Sequence, residues 1–156
     1  MDQLGITGYR QRPVHALSGG QKKLVSIADI LVMHPEVIIL DEPSAALDPK
    51  HTLTVNGLVD QFTKQGITVL MATHDIDYAY EWADEIVLMD DGSILKQGNP
   101  LDICTDIEAL EKSNLRVPTV LRLFYKLQES GILLGTLSPP RSMKELEQYI
   151  EERVYK

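Results

Sequence analysis

A chain of 156 residues is long enough for about one domain with a buried core. Its formal net charge of −8 argues against a nucleic-acid footprint, which needs a clustered basic face, and against an anionic membrane surface as the main partner. The apolar runs are of strand length, and Met1 to Gly5 has neither the charged nor the apolar region of a signal peptide, so no membrane span or leader is expected. The single cysteine, Cys104, excludes an internal disulfide and suits a reducing cytosol as a half-buried thiol.

Residues 1–16, with Gly5, Gly8, Arg10, Arg12 and Pro13, read as an irregular lead-in ending at His15, to which no chemistry is assigned. Ser18 can then cap a helix whose third position is Gln21, and the Ser-x-x-Gln spacing satisfies two backbone donors reciprocally. From about Gln21 to Met33 the spacing sets Leu24, Ile27, Ala28 and Leu31 on one face, with Lys22 and Lys23 solvated opposite, until His34-Pro35 stops the helix. Val37 to Leu40 is an apolar run of the kind found in strands buried on both faces, and it leads straight into Asp41 and Glu42. The carboxyl edge of such strands is where open α/β sheets bind ligands.

Asp48-Pro49 reads as an N-cap followed by proline at the first helical position, with Val55, Leu58, Val59 and Phe62 forming the apolar face of a helix that ends at Lys64-Gln65-Gly66. Ile67 to Ala72 is the next strand, and His74 follows it. A short helix carrying Ile76, Ala79, Tyr80 and Ala83 precedes the strand Glu85 to Met89. This alternation predicts a parallel sheet, and Asp90-Asp91-Gly92 predicts a hairpin to Ser93 to Gln97 at the sheet edge. Beyond Asn99-Pro100 the pattern is helical: residues 100–113, residues 118–130 with Val120, Leu123, Phe124 and Leu127 on one face, and a last helix opened by the capping box Ser142-Met143-Lys144-Glu145. Gly131 to Pro140 reads as an extended linker.

The chemistry concentrates between Leu17 and Asp48. Gly19 and Gly20 carry no Cβ, so the amides at that helix start can approach an anion closely, and the helix dipole favours a phosphate there. Leu17-Ser18-Gly19-Gly20-Gln21, Val37 to Glu42, Ser44-Ala45-Ala46-Leu47-Asp48 and the His74 in Ala72-Thr73-His74-Asp75 resemble, in order and spacing, the signature motif, Walker B, D-loop and switch histidine of ABC transporter ATPase subunits. The helical tail resembles that of cobalt and other energy-coupling-factor importers. Leu24 stands where the family usually has arginine, which removes any helix-to-loop contact that arginine would make.

The resemblance implies an α/β fold: a partial P-loop NTPase-like, mostly parallel sheet with an edge hairpin, plus a helical C-terminal extension. Residues 1–99 would be the C-terminal part of a nucleotide-binding domain and residues 100–156 the extension. It implies ATP and Mg²⁺ as cofactors. Asp41 would hold the metal through water, Glu42 would polarise the attacking water and His74 would contact the γ-phosphate. Ser18, Gly19, Gly20 and Gln21 would cap the γ-phosphate of ATP held by the opposite subunit, and Asp48 counts among the nucleotide-binding residues. The expected partners are a second ATPase subunit, integral membrane transporter subunits and an N-terminal Walker A half, with no nucleic acid. The expected place is the cytoplasmic face of the cell membrane. His15, His34, His51 and His74 have no metal-ligand spacing.

No Gly-x-x-x-x-Gly-Lys-Ser/Thr loop occurs, so the chain reads as the C-terminal half of such a domain, inactive alone. In the resembled sheet the Walker A strand lies between the strand before His74 and the strand Glu85 to Met89. Without it, two inner edges are expected to pair directly or to recruit another copy. Function divides between part of an importer ATPase, driving uptake of a metal ion (cobalt or nickel) or a vitamin, and a non-catalytic truncated module that docks on intact subunits to supply or block the trans signature. A DNA-repair ATPase of the same superfamily would need coiled-coil arms or a basic groove, and the sequence has neither.

Overall fold

The computed structural model describes residues 6–154; Met1 to Gly5, on which the leader expectation rests, and the last two tail residues lie outside it. The lead-in expected to be irregular holds two short 3-10 turns, Thr7–Tyr9 and Val14–Ala16, and Ser18 then begins the first α-helix. The Ser18 hydroxyl accepts from the Gln21 amide and Gln21 Oε1 accepts from the Ser18 amide, so the capping box forms as the spacing predicts and α1 runs Gly19–Leu31. Its stop is the expected one, with His34 at φ +49° before Pro35. Strand β1 (Val37–Asp41) pairs in parallel with β2 (Thr68–Ala72), and α2 (Pro49–Lys64) connects them, capped by Asp48.

These elements make one compact unit that runs to Thr73; the second begins at His74. In the first, α1 buries Leu24 and Ile27 and α2 buries Val55, Leu58, Val59 and Phe62. The expectation that β1 is buried on both faces is wrong. Ile38 and Leu40 are 3% and 7% exposed, whereas Val37 and Ile39 are 56% and 71% exposed, and Leu70 on β2 is 58% exposed. One layer of helix covers one face of the ladder, so the strand's side-chain period of two shows directly in its burial.

The second unit contains α3 (Ile76–Trp82), the antiparallel hairpin β3 (Ile86–Asp90) and β4 (Ser93–Gly98), then α4 (Pro100–Cys104), α5 (Ile107–Lys112), α6 (Thr119–Glu129) and α7 (Met143–Val154). The hairpin turns through Asp91 and Gly92 at φ +43° and +73°, the positive angles a two-residue turn demands. Direct pairing of β2 with β3 is not among the ladders of the described residues, which are β1–β2 and β3–β4. The single helix expected over residues 100–113 is two: Asp106 accepts from the Ala109 amide and caps a fresh start at α5, while also meeting Lys96 of β4 at 2.5 Å.

The helices after Asn99 share a core with the hairpin: Tyr80, Ile86, Leu88, Ile103, Cys104, Leu110, Val120, Leu121, Phe124, Leu133 and Leu146 are buried together, with Leu127 packed against them. Two polar contacts pin the tail. Asp77 of α3 accepts from the Thr119 amide at 2.5 Å, capping α6 where Pro118 has no side chain to do so. Arg141 donates to the Ala83 carbonyl at 2.7 Å and lies 5.3 Å above the Tyr80 ring. The capping box at Ser142 is half formed: Ser142 Oγ accepts from the Glu145 amide, but Glu145 returns to the Arg141 amide, not to Ser142. The 131–140 segment is only partly an extended linker, since Leu133 and Pro140 are buried in the unit. Cys104 is fully buried, not half-buried, and burial pushes its thiol up to about 12, which leaves it inert. Among the described residues no helix is long and apolar enough to cross a membrane.

Phe124, fully enclosed, should cost about 3–5 kcal/mol when replaced by alanine. On β1, Ile38→Ala should cost about 2–5 kcal/mol and Ile39→Ala less than about 1 kcal/mol in the isolated chain, as one-sided burial requires. Chemical denaturation of the three variants gives these differences.

Candidate functional site

The first unit brings together the turn Ser18–Gln21, the carboxylates Asp41 and Glu42, and Asp48. At the start of α1 the capping box engages Ser18 Oγ and Gln21 Oε1, and the Lys22 amide donates to the Ser18 carbonyl. The amides of Gly19 and Gly20 precede the first intrahelical acceptor, so they are the donors this turn offers to an outside group. A Cβ on Gly19 would meet nothing within 4 Å, leaving its amide open to close approach. Gly20 is different. A Cβ there would lie 3.0 Å from the His51 ring and 3.3 Å from Leu47, so a side chain at position 20 would have to shift these residues of the segment that follows β1. The sequence motif therefore combines one glycine that an anion can reach with one glycine that another loop occupies.

Register in the β1–β2 ladder sets Asp41 opposite Ala72, and the Glu42 amide donates to the Ala72 carbonyl at 2.9 Å. Asp41 is exposed and Glu42 half-buried at the carboxyl end of β1. Glu42 adopts φ +43°, a left-handed conformation that costs a non-glycine residue about 1–3 kcal/mol and persists only where its surroundings impose it. Its carbonyl accepts from the Ala45 amide at 3.2 Å and from the Lys23 ammonium of α1. Lys23 is therefore not the solvated residue that its helix face suggests. Ala46, further along the same turn, is also left-handed at φ +58°.

Asp48 caps α2 through the His51 amide at 3.0 Å, while its other carboxylate oxygen lies 2.5 Å from His51 Nδ1. These two bonds, the backbone one first, hold the Asp48 carboxyl below the usual carboxylate range. His51 thus links Asp48 to the surface of Gly20, a role its sequence neighbourhood hints at only through its place three residues after the cap. His74 opens the second unit, exposed, just before Asp75, which caps α3 through the Tyr78 amide at 3.0 Å.

An exposed aspartate beside a half-buried glutamate is a hard-oxygen donor set, which suits Mg²⁺ held by one or two carboxylates together with substrate phosphates. Among the described residues no cluster of three or more histidine, cysteine or carboxylate side chains could form a self-contained metal cage.

The sequence and fold are similar to those of ATP-binding cassettes. The family model described as ABC transporter matches residues 1–45. An energy-coupling factor transporter ATP-binding protein EcfA of Methanocaldococcus jannaschii is 47% identical over 120 residues, 77% of this chain and 43% of that protein. An EcfA2 of Methanospirillum hungatei is 40% identical over 152 residues, 97% of this chain and 38% of that protein. Among solved structures, cbiO1 from Clostridium perfringens, described as part of the ABC transporter complex cbiONQ, superposes with a TM-score of 0.60 at 42% identity, covering 80% of this chain and 50% of that one. A dimeric ATP-binding cassette in a post-hydrolysis state with ADP and Pi gives a TM-score of 0.55 at 30% identity, covering 64% of this chain and 44% of that one. The chain thus spans half or less of the length of these relatives. In sequence and fold the chain belongs to the ABC transporter family.

Proposed function

We propose that this chain is the C-terminal part of the ATPase subunit of an ABC-type importer of the energy-coupling-factor kind, coupling ATP hydrolysis to uptake of a metal ion, cobalt or nickel, or of a vitamin. Residues 1–99 are the nucleotide-binding portion and residues 100–156 the helical extension. One observation carries this reading: a single compact unit joins a helix start with two acceptor-free amides, a carboxylate pair at a strand end, and a capped loop braced against that helix.

Each residue has a role the chemistry of phosphoryl transfer calls for, since that reaction depends on positioning and charge neutralisation. Mg²⁺ bound with ATP supplies neutralisation of the phosphate oxygens. Asp41, exposed at the strand end, would hold Mg²⁺. Glu42 would orient the attacking water, and His74 would contact the γ-phosphate. The Gly19 and Gly20 amides, with Ser18, Gln21 and Asp48, face the nucleotide held by a second ATPase subunit, in a homo- or heterodimer. Membrane transporter subunits receive the motion, with the ATPase on the cytoplasmic face. The phosphate loop comes from an N-terminal Walker A half, and the open β1–β2 face with Val37, Ile39 and Leu70 offers that half an apolar surface. A second reading, a non-catalytic module that supplies or blocks the trans signature on intact subunits, is favoured by the signature turn being fully capped within this chain alone.

Phosphate release is the test. The purified chain should show no ATP turnover, and adding the N-terminal half should give Mg²⁺-dependent hydrolysis that Glu42→Gln abolishes while nucleotide binding persists. Ser18→Arg should also suppress turnover, through obstruction of the trans signature. Robust release by the chain alone, lost on Glu42→Gln, would overturn the assignment of the phosphate loop to the other half, whereas docking on intact subunits without turnover would favour the second reading.

A further inference from the structure

Lys23 sits in the second turn of α1, between the exposed Lys22 and the buried Leu24. Its ammonium does not end in solvent. It donates to the main-chain carbonyl of Glu42, nineteen residues away in sequence. That carbonyl has two lone pairs, and the Ala45 amide occupies the other at 3.2 Å, while the Glu42 amide is held by Ala72 at 2.9 Å. Glu42 is thus gripped on both sides of its α-carbon by α1, by β2 and by its own turn. The residue so gripped is left-handed, φ +43°, a conformation that an unbraced glutamate would leave.

We propose that Lys23 is a positioning residue: by holding the Glu42 carbonyl it fixes the left-handed backbone that sets the direction of the Glu42 side chain, and it makes that direction depend on the seating of α1. Three features support the assignment. The acceptor is main chain, so the bond constrains a backbone dihedral and not merely a rotamer. A charged donor to a carbonyl in a half-buried position is stronger than a neutral one. The same helix carries the Ser18–Gln21 turn, and Gly20 rests against Leu47 and His51 of the segment after Glu42, so a shift of α1 moves both supports of the loop together.

The inference rests on the ATPase reading only for its catalytic consequence, and the experiment separates the two. In the isolated chain, amide hydrogen exchange of Glu42 and Ala45 should rise about tenfold in Lys23→Met while Val55 and Val59 of α2 change by less than about twofold, and Lys23→Arg, which keeps a cationic donor, should hold both close to wild type. Should Lys23→Met fail to fold, Lys23→Gln makes the same comparison. In the ATPase assembled with its N-terminal half, kcat should fall about tenfold in Lys23→Met with the nucleotide KM unchanged, and Lys23→Arg should restore it. Unchanged exchange at Glu42 and Ala45, a rise shared equally by Val59, or no rescue by arginine would overturn the proposal. Absence of turnover in the assembled wild type would overturn the ATPase reading and leave the exchange comparison to decide the role of Lys23.

Discussion

The parallel ladder between β1 and β2 is the constraint on which the site depends. Its register places Asp41 level with Ala72 and extends by one further bond, from the Glu42 amide to the Ala72 carbonyl. The ladder ends with that bond, and the chain turns there through a left-handed residue. The strain at Glu42 and the start of the segment that ends at Asp48 both follow from where the ladder stops. A slip by one residue would expose Ile38 and Leu40 and turn Val37, Ile39 and Asp41 inward, so burial of the Asp41 carboxylate opposes it.

What the sequence reveals and what it hides divide along sequence distance. The Ser18 capping box, the Asp48 cap with Pro49, the hairpin at Asp91-Gly92 and the amphipathic face of α2 all depend on residues within one or two turns of each other, and each forms as its spacing predicts. The break between α4 and α5 was available in principle, since Asp106 is a good cap, but Thr105 and Asp106 interrupt no apolar period strongly enough to announce it. The exposure of Ile39 was not available at all. An apolar run states that a strand can be buried on both faces, and only the number of helices packed on it determines whether it is.

The site shows the same division. Ser18, Gly19, Gly20, Gln21, Asp41, Glu42 and Asp48 are legible because each motif is a short contiguous string. Lys23 and His51 are not, because their functions are contacts to other strings: Lys23 to the Glu42 carbonyl, and His51 to Asp48 and to the space beside Gly20. A period-based reading puts Lys23 on the solvent face of α1, but the residue is half-buried. A long side chain leaving that face still reaches the loop after β1, because lysine carries its charge several bonds from the helix surface.

The two halves of the candidate site consequently differ in how they can be held. The signature turn is closed by bonds between Ser18 and Gln21, so its geometry belongs to α1 and travels with it. Glu42 is held partly from outside its own turn. Its backbone is defined by Ala72 on another strand, by Ala45 in its own turn and by Lys23 on α1, and removing any one leaves a conformation that the residue's own preferences oppose. A helix closed in itself that also supports a strained neighbour ties the Glu42 backbone to its own seating: a tilt of α1 changes the distance from the Lys23 ammonium to one carbonyl oxygen and the packing of Gly20 on His51.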